Sequence, residues 1–95
     1  MARATWENAT VAEGDDIVIV EGNSYFRKED IHWQYFKPNS ETTICPWKGT
    51  ANYYDVEVGG KVNPGAAWYY ADPKPEAKEI LGRVAFWKGV VVKPS

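Results

Sequence analysis

Short apolar runs alternate with turn-forming residues along this chain, and the turn signals recur at intervals of about eight to twelve residues. This spacing is typical of an all-β domain, because each run has the length of one strand. The run Ile17–Val20 is β-branched at every position, which favours a buried strand. We predict strands at residues 4–7, 9–13, 17–20, 25–26, 31–36, 42–45, 51–58, 66–70, 83–87 and 90–93.

Glycine and proline mark the predicted turns between these runs. Gly59-Gly60 suits a two-residue hairpin turn, since both positions can adopt positive φ. Residues 37–40 and 63–65 each contain a proline, and we predict that both segments are turns that end or separate strands. Because Pro46 has no N–H for the ladder, its strand should break or bulge there or lie on the edge of a sheet.

One segment near the end of the chain has a different pattern. The two prolines of Asp72-Pro73-Lys74-Pro75 predict an extended, rigid linker. Pro75 suits the first turn of a helix and Gly82 suits its end, so we predict one short helix at residues 75–81. We also predict a single helical turn at the charged residues 27–30. The whole pattern indicates a mainly β, sandwich-like or barrel-like fold that forms one domain over residues 1–95.

The composition excludes several classes of protein. Hydrophobic residues make up 44%, charged residues 25%, and the net charge is −2, as in ordinary soluble domains. The 11 basic residues are scattered, so we predict no nucleic-acid binding. The single cysteine excludes an internal disulfide. No apolar run is long enough for a membrane span or a secretory segment, so we predict no membrane association and a cytoplasmic location.

Aromatic residues are the unusual feature, at 15% with 5 Trp and 6 Tyr. Because side chains alternate along a strand, Tyr53 and Tyr54 must point to opposite faces of a sheet, as must Trp68 and Tyr69. If one face is core, the other presents rings, and we predict a pocket for a small ligand or short peptide. Its predicted lining is Cys45, Trp47, Lys48, Tyr53, Trp68, Tyr70 and Asp72. The alternative is that both faces are covered and every ring serves packing.

The tripeptide Trp-Lys-Gly occurs twice, at residues 47–49 and 87–89, each time after a predicted strand. Glycine allows the chain to turn there, tryptophan anchors the strand end, and lysine must reach solvent or an acidic partner. If the two halves pair about an approximate twofold axis, Lys48 and Lys88 approach one cleft and favour an anionic ligand. Otherwise the tripeptides are two unrelated turns with solvated lysines.

Cys45 is the candidate nucleophile, with Lys48 or His32 favouring its thiolate, and a small enzyme at the same pocket is therefore a second functional hypothesis. The alternative is that Cys45 is a small buried hydrophobe. An interaction module with exposed rings is a third hypothesis. One Cys and one His are too few for a structural zinc site, so we predict no metal and no cofactor.

Three stretches, VEGNSYF at 20–26, CPWKGTANYYDV at 45–56 and AAWYYADPKPEAKEILGRVAFWKGV at 66–90, resemble the bacterial family of domain of unknown function 427 (DUF427). The resemblance covers nearly the whole chain. It departs at Arg27, where the family usually has proline, and at Gly59-Gly60, where it often has Asp-Gly. It implies a compact β domain related to the β-tent folds of zinc-binding exchange factors and methionine sulfoxide reductases.

The family also carries the label nucleotidyltransferase-like. That chemistry needs paired carboxylates holding metal ions, near a loop for the triphosphate. Asp55-Val56-Glu57 places two carboxylates on one face of a strand, but no third is obviously placed. Gly59-Gly60 follows the pair as a hairpin and does not precede it as a phosphate loop. The sequence therefore argues against nucleotidyl transfer.

Overall fold

The computed structural model describes residues 1–94. Within this range the chain forms nine strands and three short 3₁₀ helices. The strands are β1 (Ala2–Trp6), β2 (Ala9–Gly14), β3 (Ile17–Val20), β4 (Asn23–Phe26), β5 (Phe36–Cys45), β6 (Gly49–Val58), β7 (Lys61–Tyr69), β8 (Val84–Phe86) and β9 (Val91–Pro94). The 3₁₀ helices are Lys28–Asp30, Trp33–Tyr35 and Pro75–Ile80. The prediction of a mainly β fold is confirmed.

The strands form two antiparallel sheets. A three-stranded sheet has the order β2-β1-β9, and a six-stranded sheet has the order β3-β4-β8-β7-β6-β5. One face of the six-stranded sheet packs against the small sheet through a cluster that includes Ala4, Val11, Phe26 and Val56. The opposite face carries a second cluster, in which Ala77 and Ile80 of the last 3₁₀ helix cover Tyr25 and Tyr70. Both faces of the sheet therefore bear hydrophobic clusters.

The alternation along β6 and β7 separates neighbouring aromatic residues, as the sequence predicts. Tyr54 and Tyr69 pack against the cluster between the sheets, whereas Tyr53 and Trp68 pack against the cluster under the 3₁₀ helix. Tyr53 pairs with Trp68 across the ladder, so the two rings are direct neighbours on one face. Each face of the sheet consequently presents its own set of rings.

The predicted turn at residues 63–65 is wrong, because this segment is a bulge inside β7. Between the pairs Tyr54↔Ala67 and Val56↔Asn63, β6 has one residue where β7 has several. Gly65 adopts a positive φ of 64°, and its N–H is donated at 2.8 Å to the carboxylate of Asp55. The Asp55 side chain thus replaces a backbone hydrogen-bond partner that the bulged strand has lost.

The predicted end of a strand at residues 37–40 is wrong for a similar reason. The strand β5 runs on to Cys45, and its register with β6 shifts between Asn39 and Thr42. The Asn39 side chain accepts the Glu41 N–H at 2.8 Å and donates to Asp55 at 2.7 Å. The strand predicted at residues 31–36 is also wrong, because a 3₁₀ helix occupies Trp33–Tyr35 before β5 begins.

The helix predicted near residues 75–81 is present as the 3₁₀ helix Pro75–Ile80, with a kink at Ala77. Proline opens this helix, and Gly82 follows it with a φ of 68°. The preceding linker is docked on the first Trp-Lys-Gly turn, since the Lys74 N–H is donated to the Lys48 carbonyl at 2.9 Å. None of the helices within residues 1–94 has the length and apolar character needed to cross a membrane.

Candidate functional site

A small cavity of about 150 Å³ opens on the face of the six-stranded sheet that carries the 3₁₀ helix Pro75–Ile80. We call it the aromatic cleft, and its lining residues are Lys48, Tyr53, Trp68, Tyr70 and Trp87. The first four belong to the predicted pocket. Trp87 was not among the predicted residues, although its membership in the second Trp-Lys-Gly tripeptide was a usable signal.

The rings of the cleft are held by hydrogen bonds at their polar edges. The Trp68 indole N–H is donated to the Tyr25 hydroxyl at 3.1 Å, and the Trp87 indole N–H to the Gly65 carbonyl at 2.6 Å. Trp68 and Trp87 meet edge to face, with centroids 5.8 Å apart and planes at 81°. Since these polar atoms already have partners, the cleft presents ring surface of fixed orientation.

Lys48 is the buried charged residue of this site, at 6% exposure. Its ammonium lies 2.5 Å from a carboxylate oxygen of Glu21, which is itself half-exposed on the β3–β4 turn. It also lies 5.7 Å from the Trp47 ring centroid and 5.5 Å from that of Tyr70. Burial alone would lower the pKa of Lys48, but the hydrogen bond to Glu21 and nearby charges raise it overall, so the group is cationic at neutral pH.

The ion pair predicts a pH-dependent contribution to stability. Hydrogen bonds from Lys48, and then from Trp47, lower the pKa of Glu21 below 4.5. The folded state therefore binds the Glu21 proton less tightly than the unfolded state, and the stabilisation present at neutral pH is lost as the pH falls through the lowered pKa. We expect wild type to be more stable than Glu21→Gln at pH 6 and equally stable well below pH 4.5.

Urea unfolding at a series of pH values measures this difference. Glu79→Gln, at an exposed position in the last 3₁₀ helix, serves as the matched control and should show no such convergence. A wild-type advantage over Glu21→Gln that is constant from neutral to acid pH would contradict the assignment.

Lys88 belongs to an adjoining cavity of about 130 Å³, whose lining includes Glu41, Tyr53, Gly65 and Trp87. Tyr53 and Trp87 are walls of both cavities. The Lys88 ammonium lies 5.0 Å from the Trp87 ring centroid and donates to the Pro64 carbonyl at 3.1 Å. The bulge of β7 thus positions the second Trp-Lys-Gly turn, as the linker positions the first.

The other predicted site residues lie beside the cleft. Cys45 is a half-buried free cysteine that packs against the cluster containing Tyr70. Trp47 is 37% exposed, and its indole N–H is donated to Glu21 at 3.4 Å. Asp72 is exposed, next to Gly49. Within residues 1–94, none of these three side chains lines the aromatic cleft.

The carboxylates and the histidine that metal chemistry would need have structural partners. Asp55 accepts hydrogen bonds from the two bulges, and Glu57 lies 3.6 Å from the Lys37 ammonium. His32 donates from Nδ1 to the Thr10 carbonyl at 2.7 Å, as expected for a packed side chain. In the part of the chain that the structure describes, no group of three or more His, Cys, Asp or Glu side chains is placed to hold a metal ion.

Comparisons with known proteins agree with the resemblance seen in the sequence. A search of curated proteins gives no match to the chain. A model of the family described as domain of unknown function (DUF427) matches residues 1–93, nearly the full length. The chain belongs to the DUF427 family.

Proposed function

We propose that this protein binds a small organic molecule carrying an anionic group, at the aromatic cleft and the cavity that adjoins it. The observation that carries the proposal is that the lysines of the two Trp-Lys-Gly tripeptides line adjoining cavities. Lys48 lines one cavity, Lys88 lines the other, and both cavities share Tyr53 and Trp87. Aromatic walls with a few polar groups at fixed positions are the usual form of a small-molecule site.

The fixed aromatic rings of the cleft support the proposal that part of the ligand is apolar. The Tyr53 hydroxyl is paired with Thr43 at 2.7 Å, and its ring is tilted 35° from that of Trp87 with centroids 6.5 Å apart. A ligand would meet ring surface that needs no reordering, so little conformational entropy is lost on binding. Cavities of about 150 and 130 Å³ limit each end of such a ligand to a small group.

The two lysines support the proposal that the ligand carries an anionic group. An ammonium has three N–H donors, and Lys48 uses one of them on Glu21. Glu21 itself demonstrates that a carboxylate fits beside this ammonium at hydrogen-bonding distance. Hydrogen bonds between ions are stronger than those between neutral groups, and partial burial strengthens them further.

Binding is better supported than the enzymatic alternative. Cys45 packs in the cluster beside the cleft and does not line it. A nucleophilic thiol needs access to substrate and a base or cation within hydrogen-bond reach. The geometry favours Lys48 as a ligand-binding cation over a partner of Cys45.

Titration with benzoate, followed through the indole N–H resonances of ¹⁵N-labelled protein, tests the proposal. We expect saturable shifts at Trp68 and Trp87, which wall the cleft. Benzamide, which is neutral and of the same shape, should bind about tenfold more weakly or worse, since it lacks the charge-assisted hydrogen bond.

The double variant Lys48→Met, Lys88→Met should weaken the benzoate response by about tenfold or more. Lys61→Met is the matched control, because Lys61 is an exposed lysine that pairs with Glu7 away from the cleft. A benzoate response that survives the double replacement, or that appears at Trp33 only, would refute the proposed site.

A further inference from the structure

A cavity of about 550 Å³ lies on the other face of the six-stranded sheet. Its wall is contributed by segments far apart in the chain, including Lys28, Trp33, Tyr54, Tyr69 and Leu81. None of the residues that line it belongs to the aromatic cleft. Its volume lies in the range of about 300–1,000 Å³ typical of pockets for whole small molecules.

Three rings form one side of this cavity. Tyr54 and Tyr69 stack with centroids 4.9 Å apart and planes only 23° from parallel. Trp33 meets Tyr54 edge to face at 5.2 Å and is 40% exposed. The Trp33 indole N–H is donated to the Lys28 carbonyl at 3.1 Å, so the ring is anchored to the neighbouring 3₁₀ helix. Trp33 and the tyrosine pair thus form two walls at a steep angle, so a flat ligand can stack on one wall while its edge meets the other.

The Tyr54 phenol of this wall is neutral over the physiological range. Burial, together with the neighbouring Tyr69, raises the pKa of Tyr54 to about 12. No phenolate at Tyr54 therefore repels an acidic ligand, and no Asp or Glu is among the described residues that line the cavity. Apart from Lys28, the remaining lining is apolar and includes Leu81, which is 60% exposed. An exposed leucine beside exposed aromatic surface is typical of a site that a ligand covers.

Lys28 supplies an unneutralised positive charge to the cavity. Among residues 1–94 its ammonium has no hydrogen-bond or ion-pair partner, in contrast to Lys48, Lys37 and Lys61, which face carboxylates. The stem of Lys28 passes close to Gly82, where an added Cβ would lie 3.4 Å from the lysine Cε. Glycine at that position leaves room for the lysine to lie along the cavity.

We propose that this cavity is a second binding site, for a planar fused-ring aromatic molecule bearing one anionic group. The ring face of the ligand stacks on the exposed indole of Trp33, its edge packs against the tyrosine pair, and its anion pairs with Lys28. A single free cation matches a single negative charge, because no second unpaired cation lines the cavity within the described residues. The inference is independent of the function proposed for the aromatic cleft, since it rests on different residues and a different face.

Anthracene-2-carboxylate is the probe, because its three fused rings are too large for the aromatic cleft. We expect a saturable shift of the Trp33 indole N–H and none at Trp68 or Trp87. Lys28→Gln should weaken binding by about tenfold, as should the neutral anthracene-2-carboxamide with wild-type protein. Lys93→Gln, at another exposed lysine, should leave the affinity unchanged.

A second variant tests the cavity without removing any of its rings. Ala71 is exposed and lines the cavity, so Ala71→Phe should fill the space while leaving the fold intact, and should abolish binding. An unchanged urea midpoint verifies that the variant is folded. The inference is overturned by an affinity that Ala71→Phe and Lys28→Gln both leave unchanged, by shifts at Trp68 and Trp87 instead of Trp33, or by the absence of saturable binding.

Discussion

Replacement of Asp55 by alanine should lower the free energy of unfolding by about 2–3 kcal/mol, because hydrogen bonds to a charged group are lost and their donors are left unpaired. The half-buried carboxylate accepts the Asn39 amide at 2.7 Å and the Gly65 N–H at 2.8 Å. It therefore connects the bulge of β5 with the bulge of β7. Urea unfolding followed by tryptophan fluorescence measures the loss, which is large for a domain of this size.

Glu57→Ala is the matched control for this prediction. Glu57 lies two residues along the same strand, and its ion pair with Lys37 spans 3.6 Å at the surface, so its removal should cost less than about 1 kcal/mol. Asp55→Ala should also shift the Trp87 indole resonance, because the bulge supplies the Gly65 carbonyl that holds this indole. Equal losses of stability for the two variants would show that Asp55 does not fix the bulges.

Replacement of Ile80 by alanine should lower the free energy of unfolding by about 2–4 kcal/mol, through lost apolar burial and the cavity that remains. Ile80 is 0% exposed, and it is one of two buried residues in the 3₁₀ helix Pro75–Ile80, the other being the much smaller Ala77. The isoleucine is thus the main apolar anchor of this helix on the sheet. Chemical denaturation gives the value directly.

A graded series distinguishes packing from a local effect on the helix. Ile80→Val, which removes one methylene, should cost about 0.5–1.5 kcal/mol. Glu79→Ala, at the exposed neighbouring position, should change stability by no more than about 0.5 kcal/mol. If Ile80→Ala costs no more than Ile80→Val, the helix does not depend on this contact.

The sequence by itself determined most of the strands and the faces on which their side chains lie. Strand geometry has a period of two residues, so Tyr53 and Tyr54 had to separate wherever the strand was placed. The Gly59-Gly60 turn followed likewise from local conformation, and both residues adopt positive φ, at 58° and 82°. Four predicted site residues, Lys48, Tyr53, Trp68 and Tyr70, come together in the structure.

Tertiary structure alone decided what the remaining turn residues do. Proline and glycine at 63–65 are equally compatible with a turn and with a bulge, and the choice depends on Asp55, which supplies a carboxylate across the sheet. The same holds for residues 37–40, where Asn39 and its long-range partner keep the strand continuous. Local sequence specifies the conformations that a residue can adopt, whereas the pairing partner selects one of them.

The sequence also did not predict which side chains contact the key residues of the two proposed sites. Glu21 neutralises Lys48 from 27 residues away, and Trp33 joins Tyr54 and Tyr69 through the packing of a 3₁₀ helix against the sheet. Such long-range contacts have no characteristic separation along the sequence, because they depend on the order of strands in the sheet and on the register of each strand pair. The alternation of residues therefore determined which rings share a face, and only the folded chain determined which charges stand beside them.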